Sequence, residues 1–148
     1  MKGRTRETLE QEIELPPMFG QDPQFFVYRI VIPRLPPAEM SPNARGHWST
    51  KHKATDEAHT EIWAIVHEKG KEVAKPRVPL ASAIVTITWR CDRRRRDYDN
   101  FASRSKPWMD ALVKEGFIED DSNKVIKEFR LKFDYSKVEK TVIEIMEA

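Results

Sequence analysis

Cysteine is nearly missing from this sequence. Cys91 is the only one in 148 residues, so no internal disulfide can form. A reducing compartment, or indifference to redox, accounts for that. Long apolar runs are missing too, and none approaches the roughly 20 residues that a membrane span needs. The N-terminal stretch MKGRTRETLEQEIE is charged throughout and has no apolar signal region. These features lead us to expect a cytoplasmic protein with no membrane partner. An excess of one charge is also lacking. Twenty-six Lys and Arg face 24 Asp and Glu, a net charge of +2, so the global balance does not announce nucleic acid. Internal repeats and low-complexity tracts are absent. What remains is 39% hydrophobic and 34% charged, which suits one globular domain able to bury a core without staples.

The local distribution of charge says more than the total. Arg93 to Arg96 form a dense positive run, and Arg45, His47, Lys51 and Lys53 form a second basic cluster. Clusters of this kind make an electrostatic footprint even at modest net charge.

Along the chain, residues 1 to 24 hold few large apolar side chains and end in the Pro/Gly-rich LPPMFGQDP, the pattern of an N-terminal extension. The domain proper is expected over 25–148. FFVYRIVIP, 25 to 33, reads as a strand stopped by Pro33. A long Pro-rich loop follows to Trp48, and long loops in compact domains are often functional. Ser49 or Thr50 is placed to cap a helix in which Ala54, Ala58, Ile62 and Val66 recur every four residues before Gly70. LASAIVTITWRC, 80 to 91, alternates cleanly, with Ala81, Ala83, Val85, Ile87, Trp89 and Cys91 on one face. Pro107 marks the start of a second helix that ends at Gly116, with Met109, Leu112 and Val113 as its apolar stripe. Residues 125 to 133 alternate, with Val125, Phe129, Leu131 and Phe133 inward. The pattern predicts that 140–147 pairs with them as an antiparallel hairpin. The expected fold is α+β: one small domain, β-α-β-α-β-β, with a mixed sheet.

The chemistry concentrates in residues 91 to 125, CDRRRRDYDNFASRSKPWMDALVKEGFIEDDSNKV. Asp97 and Asp99 lie two apart just past a strand, and in extended geometry they point to one side. Two such carboxylates repel unless a cation sits between them. A hard divalent cation such as magnesium takes oxygen ligands, one or two carboxylates together with substrate phosphates. The second helix, packed back on the sheet, can bring Asp120 and Asp121 to the same spot. Arginines beside such a site give bidentate contacts to phosphate, and a metal site that cleaves a phosphodiester needs that positive charge. Lys106, four residues ahead of Asp110, is placed to reach the scissile phosphate or the leaving oxygen. An Asp-X-Asp pair alone is weak evidence, and an arginine run alone is usually a solvated face. The order of the parts carries the argument: strand, arginine run, DYDN, helix, Asp-Asp, strand.

DRRRRDYDN followed by MDALVKEGFIEDDSNKV resembles the RusA family of Holliday junction resolvases, in its phage-type branch. The likeness covers 80 to about 147. It is weaker over 26 to 70, where LPP…SPNARGHWSTKHKAT is similar to the family's Pro-Pro-X-Asn loop and first helix. Residues 1 to 24 match nothing in it. The resemblance implies a compact RusA-like homodimer that cuts branched DNA, above all the four-way junction, with magnesium, or manganese as its substitute. It implies that Asp97, Asp99 and Asp121 hold the metal, with Asp120 adjacent. It also implies that Lys106 is the active-site lysine, by its place four residues before the helix aspartate. The loop between Asn100 and Asp110 is longer than in the shortest family members, so Ser103 takes the position counted from Asp-X-Asp. Serine has no charge to offer phosphate.

Asn43, Arg45, His47, Lys51 and Lys53 complete the expected DNA-binding set with Arg93 to Arg96. Trp48, beside them, has two readings: a platform for an unpaired base, or a core anchor for its loop. Trp63, Trp89 and Trp108 read as core, and Cys91 as buried and inert. Asp110 reads as inward-facing and structural. His52, His59 and His67 stand too far apart for the usual zinc spacing. Rival functions are a catalytically silent branched-DNA-binding module, a nuclease acting on other branched DNA, and a DxD glycosyltransferase. The last needs a larger nucleotide-binding sheet than this length allows.

Overall fold

The computed structural model describes residues 26–41, 48–71 and 73–148. The expected extension over 1–24, and Asn43, Arg45 and His47 in the Pro-rich loop, lie outside the described residues.

Among the described residues, four strands and three helices follow in the order β1 (Val27–Ile32), α1 (Trp48–His67), β2 (Ala83–Cys91), α2 (Tyr98–Arg104), α3 (Lys106–Lys114), β3 (Ile126–Tyr135) and β4 (Lys140–Glu147). A one-turn 3-10 helix, Ala38–Met40, interrupts the Pro-rich segment. The fold is the expected mixed α+β single domain, with one helix more than the pattern predicted. The sheet order is β1-β4-β2-β3. β4 runs antiparallel to both β1 and β2, and β3 runs parallel to β2.

That order overturns the predicted β3–β4 hairpin. β4 carries adjacent apolar residues, Val142 and Ile143, both buried, and Thr141 beside them is fully buried. Such a strand needs neighbours on both edges, and it takes the centre of the sheet. β3 exposes Lys127, Glu128, Arg130, Lys132 and Asp134, which fit only an edge. The chain between them crosses the end of β2, where the Ser136 amide donates to the Cys91 carbonyl at 2.9 Å. Edge position also leaves Phe129 46% exposed, against the expectation that it faces inward.

One sheet face and the helices share a single apolar core. Across the sheet, Ile30, Ile143 and Ile87 stand in register, as do Tyr28, Ile145 and Val85. From α1 come Ala58, Ile62 and Val66, at the predicted four-residue spacing. Trp108, Met109 and Leu112 come from α3. Trp89 and Trp108 are fully buried, as read from the sequence. Trp63 is not: it stands 56% exposed on α1, its ring 4.8 Å from that of His67. Trp48 is 71% exposed, so it anchors no core. It also opens α1, which puts Ser49 and Thr50 inside the helix rather than at its cap. Ala81 is exposed ahead of β2.

The junction between α2 and α3 is the tightest polar element of the core. Ser105 is fully buried there. Its hydroxyl donates to the Phe101 carbonyl at 2.8 Å and accepts the Trp89 indole N–H at 3.1 Å. Trp89 meets Phe101 edge-on at 5.5 Å and Phe133 at 4.9 Å, so β2, α2 and β3 are joined by one aromatic cluster. A second tie runs from the end of β1. Arg34 grips Glu61 of α1 at 2.8 Å, and the same carboxylate accepts the Trp108 indole N–H at 3.2 Å.

Replacing Ser105 by Ala strands the buried Trp89 indole N–H, while the Phe101 carbonyl keeps the residue-105 amide at 3.0 Å. We expect a loss of about 1–3 kcal/mol in chemical denaturation, read by tryptophan fluorescence. An unchanged midpoint would show that the junction holds without the hydroxyl.

Candidate nucleic-acid and metal site

The strand β2 delivers the chain to Asp92, and the four arginines then diverge. Arg93 stacks over the Tyr135 ring at 4.7 Å. Arg94 donates its amide to Asp92 Oδ1 at 3.0 Å. Arg96 folds back, donating to Asp92 Oδ1 at 2.9 Å and to the Asp92 and Arg94 carbonyls, and its side chain is only 11% exposed. The Asp92 carboxylate is held below the usual range, first by the Arg94 amide and then by the Arg96 guanidinium. Asp92 therefore shapes the arginine run. An acid two residues before the amide that it accepts is a local turn signal in the sequence.

The expected extended Asp97-X-Asp99 pair does not form. Asp97 is extended (φ −98°, ψ 133°), but the helix α2 starts at Tyr98, and Asp99 lies in its first turn. Aspartate is favoured at and just inside a helix start, where the dipole welcomes negative charge, so the helix captures the second acid. Phe101 then points into the core.

Asp97 and Asn100 share a cleft of about 600 Å³ with Arg94, Arg95, Arg96, Arg104, Leu35 and Phe101. Arg104 was not foreseen. It follows Asp97 by seven residues, two turns along α2, a helix that the sequence pattern does not predict. Its guanidinium stacks on Phe101 at 4.3 Å and donates to the carbonyls of Pro36 and Pro37. Burial, and then the nearby Arg96 charge, push its pKa down. On the same side the Ser41 hydroxyl donates to Asn100 Oδ1 at 2.6 Å. The Pro-rich segment is thus latched onto α2 at two points. Lys51 and Lys53 lie in the first turns of α1, and neither lines the cleft.

α3 starts at Lys106, with Pro107 in its first turn. Lys106 Nζ lies 2.9 Å from Asp121 Oδ2 and 3.1 Å from Asp110 Oδ1. The bond to Asp121 is the largest of the effects that raise the lysine's pKa. Asp110 is part-exposed rather than inward-facing, and the lysine is its partner. Gly116, with φ 86°, closes α3. The Phe117 amide reaches back to Leu112 O at 3.0 Å and the Gly116 amide to Val113 O at 3.1 Å, the double bond of a left-handed helix stop. Leu80 then pairs with Phe117 and Glu119 through its amide and carbonyl, both at 3.0 Å, which fixes where Asp120 and Asp121 emerge. Asp120 is held below the usual carboxylate range, mainly by the Ser122 hydroxyl.

The donor chemistry fits a hard divalent cation: every candidate ligand offers carboxylate oxygen, and Asp110 and Asp121 already converge on the ammonium of Lys106. The full set is not assembled. Among the described residues, no group of three or more His, Cys, Asp or Glu side chains stands together as a metal site. Asp97 stands with the arginines, whereas Asp121 stands with the lysine. Cys91 is buried and its thiol pKa is raised by that burial, as expected for an inert residue. No helix among the described residues is long and apolar enough to cross a membrane. Neither a protein-family model nor a curated protein sequence matches this chain.

Because the Asp92 pKa is depressed in the fold, its grip on Arg96 is present above the unfolded carboxylate value of about 3.9 and is lost as pH falls through the lower folded value. Arg96 Nε resonances followed by NMR should hold constant from neutral pH to about pH 4 and shift below it. In Asp92→Asn that acid-range shift should vanish.

Proposed function

We propose that this protein is a metal-dependent endodeoxyribonuclease of the RusA kind, which resolves four-way DNA junctions by paired nicks. The observation that carries the reading is the cleft in which Asp97 stands among Arg94, Arg95, Arg96 and Arg104. Guanidinium groups next to a carboxylate that they do not neutralise by contact suit a phosphodiester bound beside a cation site. The resemblance of DRRRRDYDN and the later Asp-Asp to that family supports the same reading.

In this proposal Arg95 and Arg94 draw the phosphate in, while Arg96 and Arg104 form the rigid wall against which it is oriented. Asp97, Asp99 and Asp121, with Asp120 beside the last, would hold magnesium or manganese. The bound ion would supply a water activated for in-line attack and charge to offset the leaving oxygen. Lys106 offers its ammonium to the phosphate or the leaving group. The products carry 5′-phosphate and 3′-hydroxyl ends. A homodimer presents two such sites, and a two-fold enzyme suits a two-fold substrate.

One observation favours a second reading, a catalytically silent module that binds branched DNA. Lys106 neutralises Asp121, and no three acids are gathered among the described residues. Flaps and forks are alternative substrates under the first reading.

The test is cleavage of a labelled synthetic four-way junction beside a linear duplex of matched sequence, with and without magnesium. Paired nicks in the junction that require the metal, and a drop of at least about 100-fold in Asp97→Asn, are expected. Asn suits the start of α2 as well as Asp does, so folding and DNA binding should survive. Tight junction binding with no cleavage in any divalent metal would leave the binding module. Cleavage undiminished in Asp97→Asn would remove Asp97 from the chemistry.

A further inference from the structure

Lys106 is seated on a candidate metal ligand, Asp121, and on its helix neighbour Asp110 at once. Its ammonium contacts Asp121 at 2.9 Å and Asp110 at 3.1 Å, and its side chain is 62% exposed. Two carboxylates hold it there at a largely exposed position, and exposed pairs of this kind are individually weak. A divalent ion on the other oxygen of Asp121 would sit about 4–5 Å from the ammonium, where like charges repel. The two cations therefore exclude each other at Asp121. Asp110 lies one helical turn from Lys106 and keeps its own bond when the contact to Asp121 breaks.

We propose that Lys106 is a built-in occupant of the metal site: its ammonium holds Asp121 in the metal-free protein, is displaced by the divalent cation, and stays tethered to Asp110. The displacement does two things. It lowers the affinity of the free protein for the metal, and it frees the ammonium for a phosphate oxygen only once the metal is in. A nuclease built this way is not fully armed until both cation sites change hands. The inference rests on the metal-dependent reading above, and concerns what this chain does before DNA arrives.

The experiment titrates manganese into the full-length protein without DNA and follows free manganese by electron paramagnetic resonance. Circular dichroism checks that each variant is folded; Lys106 lies at an exposed helix start, so substitutions there should be tolerated. Lys106→Met removes the competing charge and is expected to tighten manganese binding at least about fivefold. Lys106→Arg keeps the charge and should stay within about twofold of the wild type. Adding Asp121→Asn to Lys106→Met should abolish the gain. Equal affinity in wild type and Lys106→Met would overturn the proposal while leaving the metal site standing. A gain that survives Asp121→Asn would overturn it too, because the ammonium would then act elsewhere. Manganese binding to none of the proteins would remove the metal-dependent reading, and the proposal with it.

Discussion

The buried bond between the Trp89 indole and the Ser105 hydroxyl is the constraint on which the rest of the site depends. It joins the central part of the sheet to the point where α2 ends and α3 begins. Everything chemical lies a short distance along the chain from it: the arginines and Asp97 before α2, Lys106 directly after Ser105, and Asp121 beyond α3. A serine fully removed from water tolerates no unpaired hydroxyl, so its two bonds leave the helix junction one position against the strand. The aromatic cluster of Trp89, Phe101 and Phe133 adds apolar area to the same contact.

On that frame two kinds of charge are kept apart. Arginine faces arginine in the cleft, with Arg104 partly desolvated beside Arg96 and both tied to carbonyls. That arrangement costs electrostatic energy while no anion is present. On the other side of the junction, Lys106 satisfies two acids that would otherwise repel. The arginine-rich cleft with its Asp97 carboxylate and the carboxylate pair bridged by an ammonium are thus separate clusters, one on each side of the α2–α3 junction. The latch from Arg104 and Asn100 to Pro36, Pro37 and Ser41 brings the described part of the Pro-rich segment to the same cleft.

Much of the architecture was legible in residue periodicity. Ala54, Ala58, Ile62 and Val66 are the buried face of α1, and Ala83 to Cys91 alternate as β2, because burial on one face imposes the period of the backbone directly. Pro107 and Gly116 marked the ends of α3 through their own backbone limits. Pairing was not legible in this way. The predicted hairpin assumed that strands close in sequence are neighbours, and β4 instead took the central place that its two-sided burial demanded. Trp63 and Phe129 read as core by residue type, but an outer helix face and an edge strand left them in water.

The sequence by itself determined which chemistry is available: arginines beside Asp97, a lysine one turn before Asp110, and a later acid pair. It did so because residue type and short spacing are properties of the chain alone. Only the tertiary structure decided which of these groups meet. The start of α2 at Tyr98 parted Asp97 from Asp99, the fold-back of Arg96 onto Asp92 sorted the arginine run, and the turn after Gly116 set Asp121 against Lys106. The first two follow from contacts and preferences within a few residues, whose geometry is set only once β2 and α2 are in place; the third joins residues fifteen apart and depends on how α3 packs.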